Sequence, residues 1–133
     1  MIEPVEPFLI KAQESLEGAE SEFTNGRYNN CANRCCYACF QAAIHALLQE
    51  GIRSRGKQGQ WGHEAVQSEF AKLINRRKKV YPADLRSVLA NTMTLRIKAD
   101  YKEDSLTKRE ATRSLEDTRK FVGEILIISS KGT

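Results

Sequence analysis

The fold is decided by residues 28–50, which read YNNCANRCCYACFQAAIHALLQE. Apolar side chains recur there with the period of an α-helix and cover more than half of its circumference, a pattern typical of a buried helix. Gly51 follows directly, and glycine at this point commonly ends a helix. The segment therefore predicts a central helix, against which the other elements pack.

One helix is predicted before this segment and one after it. Apolar spacing predicts a helix over residues 6–24, and Asn25-Gly26 then supplies the left-handed residue that commonly terminates one. A shorter helix is predicted over 63–75. The intervening residues 51–62 contain four glycines and three basic side chains, so they are expected to form a mobile basic loop.

The rest of the chain, residues 76–133, predicts two more helices. Pro82 is placed to open the fourth helix, because proline is tolerated at the first helical position, and this helix should end near Tyr101. Thr107 and Glu110 have the spacing of a capping box, so the fifth helix should start there, with a frayed tail over about 128–133. No strand pattern competes, and the sequence predicts an all-α, up-and-down bundle of about five helices.

Size and composition suit one ordinary folded domain. The chain has 133 residues, 41% of them hydrophobic and 29% charged, so a single domain over residues 1–133 is expected. The net charge of +4 permits contact with a phosphate backbone without arguing for it. No apolar run approaches the roughly 20 residues that span a bilayer, and Met1-Ile2-Glu3-Pro4 lacks the layout of a signal peptide. We expect a cytoplasmic protein with no membrane partner.

The four cysteines fall within nine residues of the predicted central helix, at Cys31, Cys35, Cys36 and Cys39. Disulfides between neighbours on one helix are sterically poor, and sulfurs stacked along one helix cannot surround a tetrahedral zinc. Reduced thiols in the core are expected, with no metal or other cofactor. The sequence also lacks a Walker loop and the GxGxxG, HExxH and GxSxG motifs, which removes support for several enzyme classes.

The sharpest local candidate for chemistry is the segment RIKADY at residues 96–101. Arg96 and Asp100 share a helix face, whereas Tyr101 lies about 140° from Arg96 on an ideal helix. Arg96 and Tyr101 therefore converge only if the helix ends or bends there. The structural alternative is an ordinary ion pair between Arg96 and Asp100 beside a half-buried tyrosine.

Polar residues elsewhere add further candidates. Arg34, Gln41 and His45 are separated by seven and four residues, so they share one polar stripe on the central helix. Such a stripe needs partners, which can be solvent, a subunit interface or a ligand. His63 begins the third helix, where it could cap the helix, pack on Trp61 or contact a phosphate. Both histidines are candidate acids or bases, because imidazole titrates near neutrality.

The order of these features resembles the HEPN family, in its stand-alone prokaryotic branch. The resemblance covers nearly the whole chain, and the order and spacing of its middle and last blocks are the most specific part. The matching blocks are Lys11-Ala12-x-x-Ser15-Leu16-x-x-Ala19, Asn33-Arg34-Cys35-Cys36-Tyr37-Ala38-Cys39-Phe40, Gly62-His63-Glu64 with Phe70, and Arg96-x-x-x-Asp100-Tyr101.

The resemblance implies a bundle that forms a homodimer, with the arginine motifs of both subunits at a shared cleft. Many members are metal-independent ribonucleases, often toxins, encoded beside a minimal nucleotidyltransferase that neutralises them. Arg96 matches the motif arginine, which would stabilise the charged phosphorane, and Tyr101 and Asp100 would lie beside it as catalytic residues. The candidate nucleotide- or RNA-binding residues beside this motif are Arg34, Tyr37, Gln41, His45 and His63.

The chain departs from the ribonuclease motif at Tyr101, which stands where the family has histidine. A phenol is ionised to only about one part in a thousand at pH 7, so it is a weak base. Tyr101 could instead hold a base or phosphate, or accept an adenylyl group. Three functions stay open: a ribonuclease toxin, a non-catalytic nucleotide- or partner-binding subunit of a nucleotidyltransferase system, and a helical scaffold that dimerises through the Arg34 stripe.

Overall fold

The computed structural model describes residues 6–131, apart from the side chain of Glu6. The described chain contains five α-helices and a short 3₁₀ turn at Lys57–Gly59, and no strand occurs within this range, which confirms the predicted all-α fold. The helices are α1 (Glu6–Thr24), α2 (Tyr28–Gln49), α3 (His63–Arg76), α4 (Leu85–Tyr101) and α5 (Lys108–Lys131). None of them is both long and apolar enough to cross a bilayer.

Helix α2 is the central element, as its apolar pattern predicts. It contacts all four of the other helices, and it buries small side chains such as Ala42 and Ala43 completely. Small side chains let the neighbouring helices approach closely, while Leu47 fills the space between them. All four cysteines of α2 are buried and none forms a disulfide, in agreement with a role in core packing.

Aromatic side chains join the outer helices to the core. The ring of Phe70 in α3 lies 5.4 Å from that of Phe121 in α5 and 6.3 Å from that of Tyr81. Each large side chain buried in this way contributes about 1.5–3 kcal/mol. The hydroxyl of Tyr81 donates a hydrogen bond of 3.1 Å to Glu50, whose carboxylate also pairs with Arg77. Burial, together with the Glu50 charge, raises the pKa of Tyr81.

Local signals at two helix ends are confirmed. Gly26 adopts a φ of 74° after α1, a backbone conformation that residues other than glycine rarely adopt. The capping box before α5 is complete, because the Glu110 amide donates to Thr107 Oγ1 at 3.1 Å and the Thr107 amide donates to Glu110 Oε1 at 2.9 Å. Both bonds satisfy backbone groups that a helix start otherwise leaves open.

Two boundaries differ from the prediction. Helix α4 begins at Leu85 and not at Pro82, because residues 82–85 form a turn in which the Leu85 amide donates to the Pro82 carbonyl at 3.2 Å. The tail expected to fray from residue 128 is helical as far as Lys131, since Ile128 packs against the core. Residues 1–5, which include the start considered for a signal peptide, and 132–133 lie outside the described residues.

Candidate functional site

Arg96 lies on the side of α4 that faces α2, and its side chain is only 17% exposed. The guanidinium carbon is 5.5 Å from the centroid of the Tyr37 ring, within the range of a cation–π contact. Nη1 approaches the Met93 sulfur at 3.8 Å, and a thioether is a weak acceptor. The guanidinium is thus held by an aromatic ring and a thioether, and neither neutralises its charge.

Within residues 6–131, Asp100 supplies the carboxylate that pairs with this guanidinium. Its Oδ2 lies 3.3 Å from Arg96 Nε, one helical turn away, in an ion pair that lacks hydrogen-bond geometry. The side-chain amide of Asn33, in α2, donates a hydrogen bond to the same oxygen at 3.2 Å. The ion pair expected from the i, i+4 spacing is therefore present. Asn33 connects it to the central helix, so the orientation of Arg96 depends on both helices.

A second guanidinium lies against the same aromatic ring. The guanidinium carbon of Arg34 is 5.2 Å from the Tyr37 centroid, and its Nη2 donates to the Asn33 side-chain oxygen at 2.8 Å. Arg34 is exposed to solvent. Two positive charges thus lie around Tyr37. Among the residues that the structure describes, the carboxylate paired with either of them is that of Asp100. This excess of positive charge, with donors open to a ligand, favours binding of an anion.

His63 completes the arrangement from the start of α3. Its ring stacks on Phe40, with centroids 4.2 Å apart and an interplanar angle of 29°, and meets the ring of Tyr37 edge-on at 6.1 Å. Partial burial lowers the pKa of His63, and the nearby charge of Arg96 lowers this pKa further. Both effects favour the neutral form of the imidazole. We refer to Asn33, Arg34, Tyr37, His63, Arg96 and Asp100 together as the Arg96 cluster.

Tyr101 does not join this cluster within the described chain, so the condition for its convergence with Arg96 is not met. Helix α4 continues through Tyr101 without the bend that convergence requires, and the chain becomes extended only at Lys102. The Tyr101 side chain is 72% exposed. It projects from the last turn of α4 in a direction different from that of Arg96, as the ideal-helix angle requires.

Arg34, Gln41 and His45, which share one polar stripe on α2, contact different parts of the bundle. Gln41 lies 2.7 Å from the Ser15 hydroxyl of α1. His45 is only 2% exposed, and its Nε2 lies 2.9 Å from the Ser129 hydroxyl of α5. Gln41 and His45 thus contact other helices, and of the three only Arg34 lies in the Arg96 cluster. A binding role for Gln41 and His45 stays a prediction.

Sequence reasoning missed the roles of two residues that build the site. Asn33 connects Arg34 to Asp100, and Phe40 supports the imidazole of His63. Both lie on the same face of α2 as Tyr37, at offsets of four and three residues. That spacing was a usable signal, since it places three hydrogen-bonding or aromatic side chains in a row on an otherwise apolar helix.

Another concave region lies away from this cluster. A cleft of about 550 Å³ between α2 and α5 is bordered by Glu50, Arg77 and Lys131 among others. The Arg77 guanidinium in this cleft already pairs with the Glu50 carboxylate. No group of three or more metal-ligating side chains occurs among residues 6–131. The Arg96 cluster combines two guanidiniums and one carboxylate with an imidazole, so we place the candidate site there.

Comparison with known proteins assigns the chain to a family. The family model of the HEPN domain matches residues 5–128, which is nearly the whole chain and includes every member of the Arg96 cluster. The chain belongs to the HEPN domain family. The resemblance inferred from the sequence blocks is therefore confirmed, together with the family's helical fold.

Two relatives extend this comparison. A protein of Methanocaldococcus jannaschii named "Putative toxin MJ0605" is 26% identical over 126 residues, which cover 92% of this HEPN chain and 87% of the relative. A crystal structure of a protein from Sulfolobus solfataricus superposes with a TM-score of 0.74 at 19% identity, covering 89% of this chain and 95% of that one. The second likeness shows a shared fold alone.

Proposed function

We propose that this HEPN protein is a cytoplasmic, metal-independent ribonuclease toxin, neutralised by a minimal nucleotidyltransferase as its partner. Family membership and the name of the Methanocaldococcus relative support a toxin-like role. The observation that carries the proposal is the approach of two guanidiniums, Arg34 and Arg96, to one ring beside a neutral imidazole. This combination suits a phosphodiester, which needs charge neutralisation and proton transfer.

Each side chain has a distinct task in this proposal. Arg96 stabilises the negative charge that develops on the phosphorane, because within the described residues its terminal nitrogens donate no hydrogen bond to a carboxylate oxygen. Arg34, which is exposed, binds a neighbouring phosphate. Asp100 pairs with the Arg96 guanidinium, and Asn33 bonds to Asp100, so together they orient Arg96. Asp100 is therefore a positioning residue in this scheme and not a base.

The proposal also includes a homodimer formed along α4. Ile97 is 41% exposed and Tyr101 is 72% exposed, and the two lie one turn apart on the same side of the helix. Arg96 directly precedes Ile97, so a contact through this apolar strip places the two Arg96 clusters near each other. A shared RNA-binding cleft follows from this arrangement.

The test is cleavage of single-stranded RNA by the purified protein in buffer that contains EDTA. We expect cleavage by the wild type, a large loss in Arg96→Ala, and normal activity in Arg86→Ala. Arg86 is a matched control, because it is an exposed arginine on the same helix, outside the Arg96 cluster. Intact RNA at a large excess of wild-type protein, or equal cleavage by all three proteins, would exclude the ribonuclease function.

A second function is favoured by the exposure of Tyr101. A phenol that is 72% exposed is open to an adenylyl-transferring partner, which would make this chain the modified subunit of a nucleotidyltransferase system. Incubation of this protein with ATP and its partner nucleotidyltransferase should then add one adenylyl group, which intact-mass measurement would detect. Tyr101→Phe should abolish the addition. No complex and no change in mass would count against this second function.

A further inference from the structure

We infer that His63, at the start of α3, is the residue that accepts the proton in the Arg96 cluster. It takes the place of the imidazole that the ribonuclease motif supplies from the position of Tyr101. This inference rests on the proposed ribonuclease function and assigns its missing base. Since α3 and α4 are separate segments of the chain, spacing within the motif cannot reveal the substitution.

The geometry places His63 against the same ring as the two guanidiniums. Tyr37 is the common neighbour, with His63 at 6.1 Å between centroids and the Arg96 guanidinium carbon at 5.5 Å from the centroid. Stacking on Phe40 holds the imidazole plane without using either nitrogen. Within residues 6–131, neither nitrogen has a hydrogen-bond partner, so both are available to a ligand.

The charges around His63 favour the form that accepts a proton. Arg96 on α4 is the charged group whose field reaches the imidazole most directly, and both it and burial lower the pKa of His63. On α2, the charged group beside the shared Tyr37 ring is Arg34, also a cation. Asp100 is paired with Arg96, and Glu64, the next residue of α3, is exposed. Neutral imidazole therefore predominates at pH 7.

The chemistry balances with His63 as the base. Neutral imidazole takes the proton of the ribose 2′-hydroxyl, the 2′-oxygen forms a bond to phosphorus, and the bond from phosphorus to the 5′-oxygen breaks. The leaving 5′-oxygen takes a proton from solvent, and the imidazolium later returns its proton to solvent. The products are a 2′,3′-cyclic phosphate and a 5′-hydroxyl, with no net gain or loss of protons.

The other candidate bases are less suitable. His45, the only other histidine in the chain, is buried and lies against Ser129. Tyr101 projects away from Arg96, and a phenol is a weak base at neutral pH. Of the two histidines, both of which lie in the described range, His63 is the one that combines proximity to Arg96 with a neutral, accessible nitrogen.

The test compares His63→Phe and His63→Ala with wild type in single-turnover RNA cleavage. His63→Phe keeps an aromatic ring to stack on Phe40 and removes both nitrogens, so it separates chemistry from packing. We expect both variants to cleave about 10²–10⁴-fold more slowly, with nearly unchanged RNA affinity and thermal stability for His63→Phe. The acidic limb of the pH–rate profile should disappear in both, and added imidazole should restore part of the rate in His63→Ala.

The matched control is Lys72→Ala, which alters an exposed residue of the same helix and should behave as wild type. Wild-type cleavage that is lost in Arg96→Ala but retained in both His63 variants would overturn this inference while leaving the ribonuclease function intact. Wild-type protein that does not cleave RNA would overturn both.

Discussion

The guanidinium of Arg96 lies over the ring of Tyr37, 5.5 Å from its centroid, although the two residues belong to different helices. Arg34 approaches the same ring at 5.2 Å, and His63 meets it edge-on. Tyr37 is therefore the structural centre of the candidate site. Its position on α2, the helix that contacts every other helix, makes the site depend directly on the core of the bundle.

Replacement of Tyr37 should separate the contribution of its ring from that of its hydroxyl. Tyr37→Leu removes both cation–π contacts, and we expect the free energy of unfolding to fall by about 1–2 kcal/mol, since each such contact contributes about 0.5–1 kcal/mol at a partly exposed position. Tyr37→Phe keeps the ring and should stay within about 0.5 kcal/mol of wild type. Urea denaturation measures both values. Equal losses in the two variants would show that the ring contacts do not stabilise the bundle.

Arg34 should contribute to RNA binding mainly through charge. Arg34→Ala is expected to weaken binding of single-stranded RNA and to lower the slope of log affinity against log salt by about 0.7, the value for one phosphate contact. Arg34→Lys should retain the slope, while Arg86→Ala serves as the control for a loss of charge elsewhere. Fluorescence anisotropy over a range of salt concentrations provides the measurement. A slope unchanged in Arg34→Ala would place the phosphate contact on another residue.

The capping box at the start of α5 should give a defined dependence of stability on pH. The Thr107 amide, followed by Lys98, lowers the pKa of Glu110 below its ordinary value of 4.5. The ionised carboxylate therefore stabilises the fold fully at a pH above its ordinary pKa. This stabilisation is lost as the pH falls through the lowered pKa of the folded state. Thermal unfolding of Glu110→Gln should show a smaller loss of stability over this acidic range than wild type.

The hydroxyl of the same capping box can be tested separately. Thr107→Ala should cost about 1 kcal/mol of unfolding free energy at neutral pH, a typical value for the loss of an N-cap side chain. Thr112→Ala is a suitable control, because its hydroxyl bonds to a carbonyl one turn earlier on the exposed surface of α5. Equal stability of Thr107→Ala and wild type would mean that the observed hydrogen bonds do not stabilise the helix start.

Local patterns were sufficient to predict most of the helices. The periodicity of residues 28–50 and the glycine after α1 lie within short stretches of chain, so their structural effect is encoded where they occur. Pro82 misled the prediction because a proline suits a turn as well as a first helical position. The tail after residue 128 remained helical because of tertiary contacts, which a local composition does not contain.

The site was less predictable, for a related reason. The pairing of Arg96 with Asp100 follows from helical spacing and was expected. The approach of Arg34 and His63 to Tyr37 depends on how α2, α3 and α4 pack, and no spacing within one helix specifies that packing. Gln41 and His45 were assigned to the same surface as Arg34, but contacts with Ser15 and Ser129 engage them in helix packing.

The central claim is that the Arg96 guanidinium stabilises the phosphodiester as it is cleaved. Single-turnover cleavage of a defined single-stranded RNA, with EDTA present and protein in excess, tests it most directly. We predict a rate for Arg96→Ala about 10²–10³-fold below that of wild type, with Arg86→Ala equal to wild type and with products that end in a 2′,3′-cyclic phosphate. Cleavage by Arg96→Ala at the wild-type rate would contradict the claim.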